Sequence, residues 1–311
     1  MPFKKVKISI TKLILPILHK FFQFLRINTR VINFLKQKKE GANDSYNFEN
    51  SIKDLLKNNK LIALDIGSQG GFNSDNFFPS KYDKFFNPIL VDPIKNSSEK
   101  TQGTYIKKGF WSSREKKKLY ILEKRPGSSS MYEPDKKSFM FYGFKKKDFH
   151  LFDVTKTEEV ECDTIDSSLK SLKINSLDYL KIDTQGSELE ILKGLGDYRP
   201  LIIKCEVQIY PMYKDVPSWT ELVYFLGKLN YIVSDWKTIG SHITRTPVEM
   251  DMIFLPDFTK EEGKKLILSK KAKFISLMLI SGQIELLKKI SEIINLDNSE
   301  YYGNFQDKYF Y

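Results

Sequence analysis

Four carboxylates fall at or near the ends of short apolar runs, where an α/β chain does its chemistry: Asp65, Asp92, Asp183 and Glu206. The first opens the turn Asp65-Ile66-Gly67-Ser68-Gln69-Gly70-Gly71, which follows the run LIALDI. An apolar strand feeding a glycine-rich turn and then a helix brings backbone N–H groups and a helix dipole to a ligand. A dinucleotide fingerprint would need a glycine where Gln69 stands, because the backbone must approach a pyrophosphate there. A carboxylate just before the first glycine also repels a diphosphate and suits a ligand bearing an ammonium. Asp92 ends the run PILVD, 21 residues beyond Gly71. A nucleotide-binding fold places an acid there to hold the ribose hydroxyls. The competing reading is an Asp-Pro turn starter, since Pro93 follows. Turn and acid together point to a nucleoside ligand.

Asp183 closes the run DYLKID, and Glu206 lies near the end of LIIKCEVQ. Carboxylates on neighbouring strand ends can take a proton from a bound hydroxyl, or share a divalent cation. Plainer roles compete: Asp183 receiving N–H groups of the Gly186 turn, and Glu206 pairing with Lys181 or Lys204. His150 and His242 are the other titratable candidates, each in a loop, where histidine is usually solvated. No HExxH, clustered Cys/His or EF-hand spacing occurs, so no metal site is expected. The absence of GxSxG and of a P-loop removes two hydrolase readings.

These residues need a sheet to position them. A short helix is expected over 52–57. Strands follow at 61–66, 88–92, 104–108, 118–122, 178–183, 201–208, 231–236 and 251–255, with an added one at 160–164. Helices at 187–195 and 218–229 lie between them. Strands alternating with helices argue for a parallel sheet covered on both faces. The last two strands, joined without a helix, should pair antiparallel at the sheet edge. Residues 124–158 read as a loop insertion over the strand tips. Aromatics gather near it (Trp111, Tyr132, Phe139, Phe141, Tyr142, Phe144). A local mini-core explains them better than a sugar-stacking surface. Residues 260–296 are helical by period, and the aromatic tail after Ser299 is expected to dock on the protein.

The segment Asp178-Tyr-Leu-Lys181-Ile-Asp183-Thr-Gln-Gly186-Ser-Glu188-Leu-Glu-Ile-Leu-Lys-Gly194 resembles the FkbM methyltransferase signature D-x-L-K-I-D-V-E-G-x-E-x-x-V-L-x-G. Asp65-Ile66-Gly67, Asp92-Pro93, the Gly127–Ser130 turn (GSSS) and Thr164-Ile165-Asp166 continue the resemblance, which spans about residues 55–256. It implies an α/β fold with a Rossmann-like methyltransferase sheet, to which the strand reading adds an antiparallel edge strand and the helical periodicity adds N- and C-terminal extensions. It also implies S-adenosylmethionine as cofactor and O-methylation of a sugar or polyketide hydroxyl. Carried over by position, Asp65, Gly67 and Gly71 would cradle the methionine moiety, Asp92 the ribose, and Gly109 and Phe110 the adenine. Gln69 stands where the family often has Asn, and Gln185 where it has Glu. That second departure keeps a non-catalytic glycan-assembly module in view. A nicotinamide-dependent oxidoreductase is the other rival, disfavoured by the missing fingerprint glycine.

The formal charge is +11, but residues 1–39 hold ten bases and no acid, while residues 40–311 hold 40 bases against 39 acids. The excess is a terminal arm, so nucleic acid is not an expected partner. Between Leu13 and Leu35 apolar residues recur at helical spacing with bases in the gaps. Such an arm suits either an anionic membrane interface or packing on a protein surface, with the membrane slightly favoured. Its longest apolar run, Leu13–Leu18, is too short to span a bilayer. Cys162 and Cys205 form no motif, as in a reducing compartment. The expected division is therefore an arm over 1–40, a methyltransferase domain over 50–258 and a helical extension over 259–311. The acceptor would be a small molecule or glycan, and the location cytoplasmic, at the inner membrane face.

Overall fold

The computed structural model describes residues 48–94, 103–239 and 247–296. The basic arm, His242 and the aromatic tail after Ser299 lie outside them. All the described elements fall in one compact unit, Glu49–Asn298. In chain order they are α1 (Glu49–Leu56), β1 (Leu61–Ile66), β2 (Phe86–Val91), β3 (Thr104–Ile106), β4 (Gly109–Phe110), β5 (Glu115–Ile121) and β6 (Lys156–Asp163). Then come α2 (Ile165–Ser171), β7 (Tyr179–Ile182), α3 (Glu188–Lys193), β8 (Ile202–Gln208), α4 (Trp219–Lys228), β9 (Tyr231–Ile239) and β10 (Glu249–Pro256). Three helices close the unit, α5 (Glu261–Ser269), α6 (Lys271–Ile280) and α7 (Ile284–Ile294).

Seven strands form the main sheet in the order β3-β2-β1-β7-β8-β10-β9. β10 alone runs against its neighbours, pairing antiparallel with both β8 and β9. The expected antiparallel pair is thus present at the edge, with its reversed member one position in. β7 sits at the centre and is buried along its length, as a strand covered on both faces must be. The core runs from Leu64 and Ile66 through Leu180 and Ile182 to Phe254. Sequence signals set the helix starts. The Thr164 side chain accepts from Ser167 N–H at α2, and Ser218 with Glu221 makes a capping box at α4. In α6, Phe274 to Ile280 are all buried. Lys273 Nζ lies 2.6 Å from Asp178 Oδ2, which also accepts from Ile62 N–H, so α6 is tied to the starts of β1 and β7.

Two expectations fail. The strand expected at 118–122 does not join the main sheet. It is the end of β5, which pairs antiparallel with β6 in a separate three-stranded sheet, β4-β6-β5. Its first residues, Glu115 to Lys118, alternate half-buried with exposed, a pattern a doubly covered central strand cannot carry. No α-helix follows the Gly67–Gly71 turn either. Asn73 and Asn76 take positive φ (55° and 52°), and the next helical element is a 3₁₀ turn at Ser80–Phe85. An aromatic loop fills the space over the sheet, with Phe78 stacked on Phe86 at 5.0 Å and Phe77 parallel to Tyr179 at 6.1 Å. The helix dipole expected at the ligand is therefore missing.

Candidate active site

At the C-terminal ends of β1, β2 and β7 a cavity of about 400 Å³ opens. That lies within the range of small-molecule sites, about 300–1,000 Å³. The main sheet supplies Ile66, Gly67, Gln69, Asp92, Asp183, Thr184 and Gln185; β4 supplies Gly109 and Phe110. The small sheet gives Leu119, Ile121, Lys156 and Glu158. The insertion gives Pro126, Gly127, Ser129, Ser130 and Met131.

Backbone contacts fix the turn. Gly67 N–H donates to Val91 O at 2.9 Å, and Asp183 N–H donates to Ile66 O at 3.0 Å. A Cβ on Gly67 would lie 1.8 Å from Asp183 O, and its φ is +79°, so only glycine fits between the tips of β1 and β7. The Asp92 carboxylate accepts from Ile94 N–H at 2.7 Å, so the residue starts a turn and also faces the cavity.

Gly67, Asp92, Gly109, Phe110 and Asp183 are thus brought together as the sequence predicts. Asp65, Gly71 and Glu206 do not line the cavity. Asp65 is 1% exposed and lies under the turn, its Oδ1 3.2 Å from Lys181 Nζ. Burial raises its pKa above the ordinary value, with Lys181 opposing. Gly71, at φ +91°, has open space where a Cβ would stand. Its role is to let the chain turn. His150 is exposed, with Nδ1 2.7 Å from Lys147 O, and does not line the cavity.

Glu206 reaches Asp183 through an intermediary. Gln185 Nε2 donates to Glu206 Oε1 at 2.7 Å and lies 3.3 Å from Asp183 Oδ1. The plainer roles weighed for the two acids are filled by other residues. The turn's N–H groups, from Thr184 and Gly186, donate to Glu188 at 2.9 and 3.0 Å. Lys204 pairs with Asp75 and with Asp251. Burial, then the charges of Asp183, Glu249, Asp251 and Glu188, push Glu206 well above the usual carboxylate range. Glu249 rises to about 7, by burial and Asp183, with Arg125 opposing.

The same amide bolts the insertion to the sheet. Tyr213 O–H lies 2.7 Å from Ser128 O and 3.0 Å from Gln185 Oε1, and Ser130 O–H donates to Gln185 O at 2.7 Å. Gln185 holds φ +61°, a left-handed conformation that side chains rarely adopt. Sequence reading marked Gln185 as a departure but missed this bridge, and missed Glu249 altogether. The available signal was the spacing of Glu249 and Asp251, which puts both on one face of β10, opposite Gln208 and Glu206.

The residues present fit the nucleoside-sulfonium group that the sequence implies. An acid ends β2, an aromatic ring and a glycine stand beside it, and the buried Ser187 hydroxyl on the wall has no partner among the described residues. Among those residues no cluster of His, Cys, Asp and Glu is arranged to hold a metal ion.

The family model for the Methyltransferase FkbM domain matches residues 29–233. Comparison with curated proteins finds no match. Among solved structures, the chain is similar to 1,6-didemethyltoxoflavin-N1-methyltransferase of Burkholderia thailandensis, solved with bound 1,6-didemethyltoxoflavin and S-adenosylhomocysteine. Identity is 10%, over 76% of this chain and 89% of that one, with a TM-score of 0.28. A likeness at that level bears no weight. The match over 29–233 takes in β1 to β8, the cavity and the Asp183 signature, so the chain belongs to the FkbM methyltransferase family and is an S-adenosylmethionine-dependent methyltransferase.

Proposed function

We propose that the enzyme methylates a hydroxyl of a sugar or glycan, with Asp183 as the proton acceptor and Glu206 as its buried partner. The observation that carries this reading is the pair of carboxyls joined by Gln185, one on the cavity wall and one behind it. Bound S-adenosylmethionine supplies a methyl group on a sulfonium, open to in-line displacement. Asp92 would take the ribose hydroxyls and Phe110 would cover the adenine, with Gly67 admitting the backbone to the ligand. Asp183 would accept the proton of the acceptor hydroxyl as its oxygen takes the methyl group, the C–S bond breaking to leave the neutral thioether. Burial and four neighbouring acids raise the pKa of Glu206 well above the usual carboxylate range, which disfavours a second charge beside the base. The wall opposite the sheet alternates apolar Leu119 and Ile121 with Lys156 and Glu158, a surface suited to a ring with both C–H and hydroxyl faces.

The basic arm over 1–39 supports attachment to an anionic membrane surface, where lipid-linked glycans are built. Cys162 and Cys205 are buried and unpaired, which suits the cytoplasmic side. The test is transfer of isotope-labelled methyl to hydroxylated carbohydrates and lipid-linked glycans. We expect a base-stable methyl ether. Label recovered only on nitrogen, or in a base-labile ester, would overturn the reading.

A further inference from the structure

The insertion carries a second feature, away from the cavity. Between Lys136 and Lys147 the chain has five lysines and no acid. The 3₁₀ turn Phe139–Tyr142 divides its side chains. Phe139 and Tyr142 enter the mini-core with Leu122, Phe152, Tyr213 and Val248. Met140 and Phe141 turn outward, 60% and 38% exposed. The Phe141 ring stacks on Tyr210, with centroids 4.9 Å apart and planes within 7°, so the outward surface is two rings and a thioether. Gly143, at φ +78°, ends this turn, and Lys145, Lys146 and Lys147 stand exposed at the start of the next. Lys137 is exposed on the other flank, and Lys136 beside it pairs with Asp153.

Single exposed apolar residues are ordinary. Two adjacent ones backed by a tyrosine and flanked along the chain by exposed lysines have the composition of an interfacial element: aromatic and aliphatic groups for the headgroup boundary, lysines for lipid phosphates. A nucleic acid or polyphosphate would engage the lysines and leave Met140 and Phe141 in water. We propose that Met140 and Phe141 form an interfacial tip that enters the headgroup layer of an anionic membrane, with Lys137, Lys145, Lys146 and Lys147 set against its phosphates. The tip works independently of the arm.

The test uses the full chain with Met140→Cys, labelled with an environment-sensitive fluorophore. Cys162 and Cys205 are the chain's other cysteines, and both are buried. Phosphatidylglycerol–phosphatidylcholine vesicles should shift the emission to the blue, and phosphatidylcholine alone should not. A label at Tyr224→Cys, 66% exposed on α4, should stay in water. Lys145→Glu with Lys146→Glu and Lys147→Glu should weaken the shift at least about tenfold while S-adenosylmethionine binding, which reports folding, is unchanged. The proposal is overturned if the label stays in water while protein sediments with anionic vesicles, if no vesicle binding occurs, or if polyphosphate produces the same shift.

Discussion

Lys181 and Lys204 stand opposite each other in the parallel register of β7 and β8, both buried. Two ammoniums side by side in a core persist only with anions around them. Asp65 pairs with the first and Asp251 with the second. Asp75 descends from the loop after the glycine turn to Lys204, with its charge also felt by Lys181. Burial opposes the Asp75 charge, but the two lysines outweigh it and depress its pKa. Its stabilisation is therefore present above the ordinary value near 3.8 and is lost as pH falls through the depressed one. Asp75→Asn removes one charged partner while Asp251 remains on Lys204, and should cost about 1.5–3 kcal/mol at neutral pH in denaturant unfolding. The difference from wild type should shrink in acid.

In the proposed reading Asp92, on the cavity wall, holds the ribose hydroxyls of the cofactor. Replacing it with alanine removes a charged partner for the ribose and should weaken S-adenosylmethionine binding by about 1.5–3 kcal/mol, read by calorimetry. NAD should not bind either protein.

Turnover should depend on Asp183 in a different way. A positioned base contributes about 10²–10⁴-fold, while binding of the donor does not need it. Asp183→Asn should lower kcat at least about 100-fold and leave the Kd for S-adenosylmethionine near that of wild type. Unchanged turnover would remove Asp183 from the chemistry.

Gln185→Glu restores the family residue and places a carboxyl 2.7 Å from Glu206 and 3.3 Å from Asp183. Three adjacent carboxyls cannot all ionise, so the group retains a proton to higher pH. The acid limb of the kcat profile should move upward by about one unit or more. Gln185→Ala, which removes the bridge without adding charge, should lower kcat without that displacement.

Glu249 offers a stability readout. Its folded pKa is raised from 4.5 to about 7. Such a group contributes fully below pH 4.5, where both states are protonated, and its contribution is lost as pH rises toward 7. Thermal unfolding of Glu249→Gln should match wild type near pH 4.5 and exceed it above pH 7. The gap should be on the order of a few kcal/mol, at about 1.4 kcal/mol per pKa unit.

The main sheet was readable because its strands are doubly buried and appear as apolar runs, LIALDI and LIIKCEVQ among them. Asp92 and Asp183 could be placed because they end such runs. Asp65 was assigned to the cofactor but lies buried under the turn, because its partner Lys181, 116 positions away, meets it only through sheet register. The loop after Gly71 misled for a related reason: a glycine turn after a strand usually opens a helix, and Asn73 with Asn76 breaks it here. The strand over 115–121 was assigned to the wrong sheet because its apolar end, KLYIL, resembles a core strand while its start does not. Glu206 was expected to face the cofactor, but it stands behind the cavity wall with Gln185 between it and Asp183, an arrangement set by side chains that strand order does not reveal.

Gly67 and Asp183 touch through bare backbone, with no side chain between them. The tips of β1 and β7 thus meet as one jaw, so that under the proposed assignment the seat of the methyl donor and the carrier of the base share a single backbone contact. On the proposed assignment, alignment of donor and base would be a property of the scaffold itself, and the insertion and small sheet could vary without disturbing it.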